Sequence, residues 1–156
     1  MDGSRLFPRS PLSDETYPGP KLPFYFLILV AVISTLRSLI HILAPDGGAH
    51  SIAGVAVDVQ GGANIVAMFA QWGASQLILA LFYWLAILRY RRLVPLMLLV
   101  VVIEQLLRLG IGQLKPLDVA APPPGAIGSQ LLLPPAIFAF LWALHRSPPD
   151  HEGAKF

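Results

Sequence analysis

The apolar stretch 24–43, FYFLILVAVISTLRSLIHIL, constrains the fold of this chain most strongly. A helix of about 20 apolar residues is long enough to cross a bilayer core of about 30 Å. Yet the second half of the stretch carries Ser34, Arg37, Ser38 and His41, which fall on one helical face. Because a charge inside a bilayer is costly, such residues usually pair with one another or face a watered cavity. The stretch therefore predicts a membrane helix that contributes to a polar site.

Three further apolar stretches complete the predicted fold, an all-α integral membrane antiparallel four-helix bundle. Hydrophobic residues make up 55% of the chain and charged residues 13%, about half the charged share of a soluble domain. The spans are predicted at about 23–44, 63–88, 93–110 and 129–145, between a proline-rich tail (1–22) and a second tail (146–156). Pro134 and Pro135 are expected to kink the fourth helix or delay its regular start.

The basic residues predict the orientation. Arg89, Arg91 and Arg92 lie between helices 2 and 3, whereas the loop after helix 1 has no Lys or Arg. The positive-inside rule then places both termini of a multi-pass membrane protein in the cytoplasm. An aromatic belt at the cytoplasmic interface is expected from Tyr25, Tyr83, Trp84, Tyr90 and Trp142.

This topology brings the polar residues of all four helices into the outer half of the bilayer. Glu104 can pair with Arg108, four residues later on the same helix, or with Arg37, and His41 is expected near the mouth of the cluster. The candidate ligand-binding or ion-pair cluster comprises Arg37, His41, Asn64, Gln71, Ser75, Gln76, Glu104, Gln105 and Arg108.

The cluster has structural and functional interpretations. A pair of Arg37 with Glu104 would fix the helix register, or Arg37 would extend towards the interface, or these groups would bind a ligand. His41 and Glu104 are the candidate catalytic acid and base, although His41 could equally hydrogen-bond to the following loop. His41, Asp46 and His50 lack a diagnostic ligand spacing, so no metal is predicted.

Several function classes are excluded by composition. The absence of cysteine excludes disulfides, thiol catalysis and iron–sulfur ligation, and a net charge of +2 is too small to indicate nucleic-acid binding. No metalloprotease, hydrolase, phosphate-loop or dinucleotide-binding motif is present. No cofactor is predicted, although a bound lipid or quinone fits the polar cluster.

Three segments carry a resemblance: RSLIHILAPDGGAHSIAG (37–54), QWGASQLILALFYW (71–84) and IEQLLRLGIGQLKP (103–116). They resemble small bacterial four-span membrane proteins, the DoxX-like and DUF4345-like proteins, in architecture. The resemblance covers about 23–116 and implies a four-helix bundle in a bacterial inner membrane. It assigns no catalytic residue.

These observations favour a non-catalytic accessory or scaffold subunit of a larger membrane complex. The small residues of helix 2 and the proline-rich segments suit contacts with protein partners or with further copies of the chain, besides membrane lipid. The alternatives are a protein that binds a lipid- or quinone-like amphiphile, with Arg37 anchoring a polar head, and a small isomerase-like enzyme that uses His41 and Glu104.

Overall fold

The computed structural model describes Tyr17 and residues 19–145, so the predictions for most of the first tail and for the tail 146–156 lie outside the described residues. The described part is helical and has no strand, which confirms the all-α prediction. Its elements are α1 (Lys21–Leu43), α2 (Gly62–Leu88), a short 3-10 helix (Arg91–Leu93), α3 (Val94–Leu114) and α4 (Pro124–Ala143). All four α-helices are long and apolar enough to cross a membrane.

Two helices differ most from their predicted spans. α3 continues to Leu114, and α4 begins at Pro124 rather than near residue 129. Proline suits a first helical turn because the N–H that it lacks would have been unpaired there, so part of the proline-rich stretch starts a helix. Pro134 and Pro135 lie inside α4, and the delayed start expected from them does not occur.

The helices pack most closely as two pairs, α1 with α2 and α3 with α4, while no Cα of α2 lies within 8 Å of a Cα of α4. In the first pair, Trp84 late in α2 donates a hydrogen bond to Thr35 of α1 at 3.0 Å. Earlier in α2, Gly73 lies against His41, which comes later in α1. The two helices therefore run antiparallel.

α2 and α3 are also antiparallel neighbours, as their short connection predicts. Tyr83 bonds to Glu104, and the earlier Gln76 bonds to the later Arg108. Residues with lower numbers in α2 thus face residues with higher numbers in α3, as in an antiparallel pair. The four apolar helices fit a bundle.

The hydrophobic core occupies the end of the bundle where α2 is joined to α3. It is made of residues from the first halves of α1 and α3 and the second halves of α2 and α4: Leu27, Val30, Ala31, Tyr83, Ile87, Val94, Leu98, Val101, Val102, Ala136, Ala139 and Ala143. The predicted polar residues lie towards the other end. Tyr83 is fully buried in the core, so the prediction that its side chain belongs to an interfacial aromatic belt was wrong.

Candidate functional site

The polar site is centred on the ion pair between Glu104 and Arg108, one turn apart on α3. Nη2 and Nε of Arg108 lie 2.5 and 2.8 Å from Oε1 of Glu104. Both side chains are largely buried, with 14% and 18% exposed. The i,i+4 spacing predicted this pair, and it is the one ion pair seen within the described helices.

Two side chains of α2 extend the ion pair into a network. Nη2 of Arg108 also donates to Oε1 of Gln76 at 2.6 Å, and the hydroxyl of Tyr83 donates to Oε2 of Glu104 at 3.3 Å. Gln76 and Tyr83 are seven residues apart, so they lie on one face of α2. The predicted member Gln76 is thus in the site, and Tyr83 is a member that the sequence interpretation missed.

Trp72 of α2 brings three further groups together. The guanidinium carbons of Arg37 and Arg108 lie 4.7 and 4.9 Å from the centroid of its ring, and the His41 ring centroid lies 4.9 Å away. Both arginines are within the range of a cation–π contact. Trp72 therefore links the polar residues of α1 to the ion pair of α3, a role that its sequence position alone did not reveal.

The expected pairing of Arg37 with Glu104 does not occur, because Arg108 occupies that carboxylate. Arg37 is half-buried, and it makes no hydrogen bond or ion pair with the residues that the structure describes. Its guanidinium contacts the face of Trp72 instead. The result is a cation inside the helical segment whose five N–H donors have no acceptor in the described chain.

His41 belongs to the loop side of the site. It is 4% exposed, and its Nδ1 lies 2.7 Å from the carbonyl oxygen of Gly47. A carbonyl can only accept, so the Nδ1–H group of His41 donates this hydrogen bond. No hydrogen bond joins His41 to Glu104 in the described chain. His41 therefore fastens the loop to α1, as one of its two interpretations predicts.

The loop that follows α1 is ordered around Asp46. Its carboxylate accepts backbone hydrogen bonds from Gly48 at 2.9 Å, His50 at 3.1 Å and Ser51 at 2.7 Å. The hydrogen bonds from Ser51 and Gly48 hold the pKa of this carboxyl well below its ordinary value. Gly48 has a positive φ of 72° and lies against the His41 ring, so a side chain there would be strained and crowded.

Gly73 sets the distance between α1 and α2 beside the site. A Cβ at this position would lie 2.6 Å from Cβ of His41 and 3.2 Å from the carbonyl oxygen of Ser38. Only glycine allows this close approach of the two backbones. The approach places Trp72, the preceding residue, next to Arg37 and His41.

Four predicted members stay outside the network. The Asn64 side chain is exposed, and it makes no hydrogen bond to the described residues. Ser75 is exposed and donates to the backbone oxygen of Gln71 at 3.2 Å, and the Gln71 side chain is itself exposed. Gln105 is buried on α3, but no hydrogen bond links its side chain to the described part of the cluster.

A metal centre has no support in the described ranges, Tyr17 and 19–145, because no three His, Asp or Glu side chains converge there. At the start of α2, the carbonyl of Val57 lies against Gly62, so a side chain at that position would have no room.

A separate cavity of about 300 Å³ lies at the opposite end, between α1 and α4. Its walls are almost entirely apolar and contain none of the predicted site residues; they include Leu22, Tyr25, Phe26, Phe138 and Trp142. A cavity of this composition lacks the placed polar groups that give a ligand site its orientation and specificity.

Comparisons with protein-family models, curated proteins and solved structures find no match to this chain. The resemblance to DoxX-like proteins stays a prediction that depends on the quoted segments. The site itself is a network of hydrogen-bonded partners, with Arg37 beside it and outside its hydrogen bonds.

Proposed function

We propose that this chain is a multi-pass protein of a bacterial inner membrane that serves as a non-catalytic accessory or scaffold subunit of a larger membrane complex. Four helices of sufficient length and apolarity support the membrane assignment. The arginines at 89–92 and the loop 44–61, which lacks Lys and Arg, favour cytoplasmic termini. The polar cluster then lies in the outer half of the bilayer.

The subunit role rests on the outer surface of α2. Of the most apolar 18 residues of this helix only 11% are buried, against 22% in α4 and 28% in α1. Its exposed face carries small residues at helical spacing, Ala63, Ala67 and Ala74. Small residues let membrane helices approach closely, and such contacts drive helix association within lipid. The face suits a transmembrane helix of a partner.

The arrangement of the polar groups is consistent with this role. Glu104 is engaged by Arg108 and Tyr83, and Nδ1 of His41 is engaged by the Gly47 carbonyl. An acid–base mechanism would need these two groups to share a substrate, and each is instead committed to a structural contact. The network stabilises the packing of α2 on α3.

Affinity purification from native membranes in a mild detergent tests the proposal. We expect the wild-type chain to be recovered with partner chains, and Ala67→Phe to lose them because the larger ring blocks close approach. Ala126→Phe is the matched control, since Ala126 is also exposed but lies on α4. Recovery of the wild type alone, or equal losses in both variants, would contradict the subunit role.

A further inference from the structure

The charges inside the four helices do not balance around the polar site. Glu104 is the one acidic residue within these helices, all of which are described, and it faces two arginines, Arg37 and Arg108. Arg108 takes the carboxylate. Asp46, the acidic residue that follows α1, is engaged by three backbone N–H groups of its own loop. One positive charge therefore has no counter-charge in this part of the chain.

An unmatched charge is costly at this position. Removing an ion from water without a partner has a penalty of several kcal/mol, and groups at membrane depth usually find a partner of opposite charge. The contact of Arg37 with Trp72 contributes only about 0.5–2 kcal/mol, because the ring offers a quadrupole and not a negative charge. The guanidinium thus lacks both a counter-ion and a hydrogen-bond acceptor.

The surroundings of Arg37 indicate which kind of ligand would supply its missing counter-charge and hydrogen-bond acceptor. Trp72 is 37% exposed, so the site opens to the surface of the bundle. The Arg108 guanidinium lies near the same ring and adds a positive potential, although its own donors serve Glu104 and Gln76. A planar guanidinium binds phosphate or carboxylate oxygens through two parallel hydrogen bonds. The two arginines and one carboxylate leave one positive charge in excess, which a monoanionic group would neutralise.

We propose that Arg37 and Trp72 form a binding site for the monoanionic head of a membrane amphiphile, a phosphodiester or a carboxylate. The head pairs with the Arg37 guanidinium, and the apolar chain lies beside Trp72, away from the face of α2 that carries Ala67 and Ala74. Placement within a helix that is apolar enough to span a membrane favours a lipid over a free anion as the source. The site is independent of the subunit role, since it needs no partner chain.

Native mass spectrometry of the purified, delipidated full chain tests the site. Phosphatidylglycerol, phosphatidylethanolamine with the same acyl chains, oleate and inorganic phosphate are titrated separately. We expect phosphatidylglycerol or oleate to bind about tenfold more tightly than phosphatidylethanolamine, the contribution of one charge-assisted contact. Equal binding of the anionic and zwitterionic lipids would overturn the proposal. If inorganic phosphate binds as tightly as phosphatidylglycerol, the anion site is supported, but its ligand is a free anion and not a lipid.

Variants then assign the effect to Arg37. Arg37→Gln is expected to lower the affinity for the anionic lipid about tenfold, and Arg37→Lys to lower it less, because an ammonium keeps the charge but loses the paired geometry. Lys115→Gln is the control, since it removes an exposed charge at the same end of the bundle. Equal losses in Arg37→Gln and Lys115→Gln would show a general charge effect and overturn the site. If Arg37→Gln does not fold, the Arg37→Lys comparison and the wild-type lipid preference decide.

Discussion

The two ends of the bundle are held together in different ways. At the end that carries the 3-10 helix, apolar side chains of all four helices pack into one core, with Leu27 and Leu98 fully buried. At the other end a network of charged and polar side chains joins α2 to α3, and an ordered loop closes over α1 and α2. The apolar end is held by the fit of many side chains, whereas the polar end depends on a few particular partners. Single substitutions should therefore have their largest effects at the polar end.

Glu104→Gln is expected to have the largest effect. The substitution leaves Arg108 without its carboxylate partner, and removal of one partner from a buried ion pair costs about 3–5 kcal/mol of stability. The free energy of unfolding in lipid bicelles measures the loss. Asp118→Asn, which removes an exposed carboxylate from the α3–α4 link, is the control and is expected to have almost no effect. Equal stabilities of the two variants would show that the network does not stabilise the bundle.

Gly73→Ala is expected to cause the second-largest loss of stability. The new methyl group would meet Cβ of His41, which lies next to the backbone and cannot move aside, so overpacking should cost about 1–3 kcal/mol. Gly112→Ala is the matched control, because a Cβ there meets nothing within 4 Å and alanine favours a helix by about 0.5–1 kcal/mol. The same unfolding measurement applies. A stabilising Gly73→Ala would contradict the close contact of α1 with α2.

The smallest expected effect is a loss of stability at low pH in the loop after α1, caused by the protonation of Asp46. A carboxyl whose pKa is lowered by folding stabilises the fold above its unfolded pKa of about 3.9, and this contribution is lost as the pH falls through the folded value. Hydrogen exchange measures this loss. The protection of the backbone amides of residues 47–53 from exchange should stay constant near neutrality and decrease as the pH falls from about 5 towards 2.

Asp46→Asn separates this titration from other acid effects. The amide cannot ionise, so protection in the loop should already be reduced at pH 7 and should change little on acidification. Asp58→Asn, at an exposed position later in the same loop, serves as the control. A wild-type pH profile in the Asp46→Asn variant would exclude the carboxylate as the source of the loop's stability.

The helices were easier to predict from the sequence than the contacts between them. Length and apolarity were sufficient for the four helices, because these properties are local to each segment. The start of α4 was missed, since proline-rich sequence favours a loop unless a proline occupies the first helical turn, as Pro124 does. For the site, the pair of Glu104 with Arg108 follows from spacing on one helix.

Contacts between helices were harder to predict. The partner of Arg37 depends on how far each helix is rotated about its axis, and no periodicity within one segment reports that rotation. Trp72 and Tyr83 were therefore not recognised as members of the network, although both share a helix with Gln76. Gly73 is the feature that fixes the α1–α2 approach, and its neighbours in α1 are visible only in the fold.

Cysteine labelling tests most directly whether the polar end faces outward across a membrane. The chain has no cysteine, so single cysteines can be introduced without further changes. Gln60→Cys reports the loop at the polar end, and His145→Cys reports the opposite end; both positions are exposed. In intact spheroplasts, a membrane-impermeant maleimide should label Gln60→Cys at once and His145→Cys only after permeabilisation. The reverse pattern, or equal labelling of both before permeabilisation, would contradict the account.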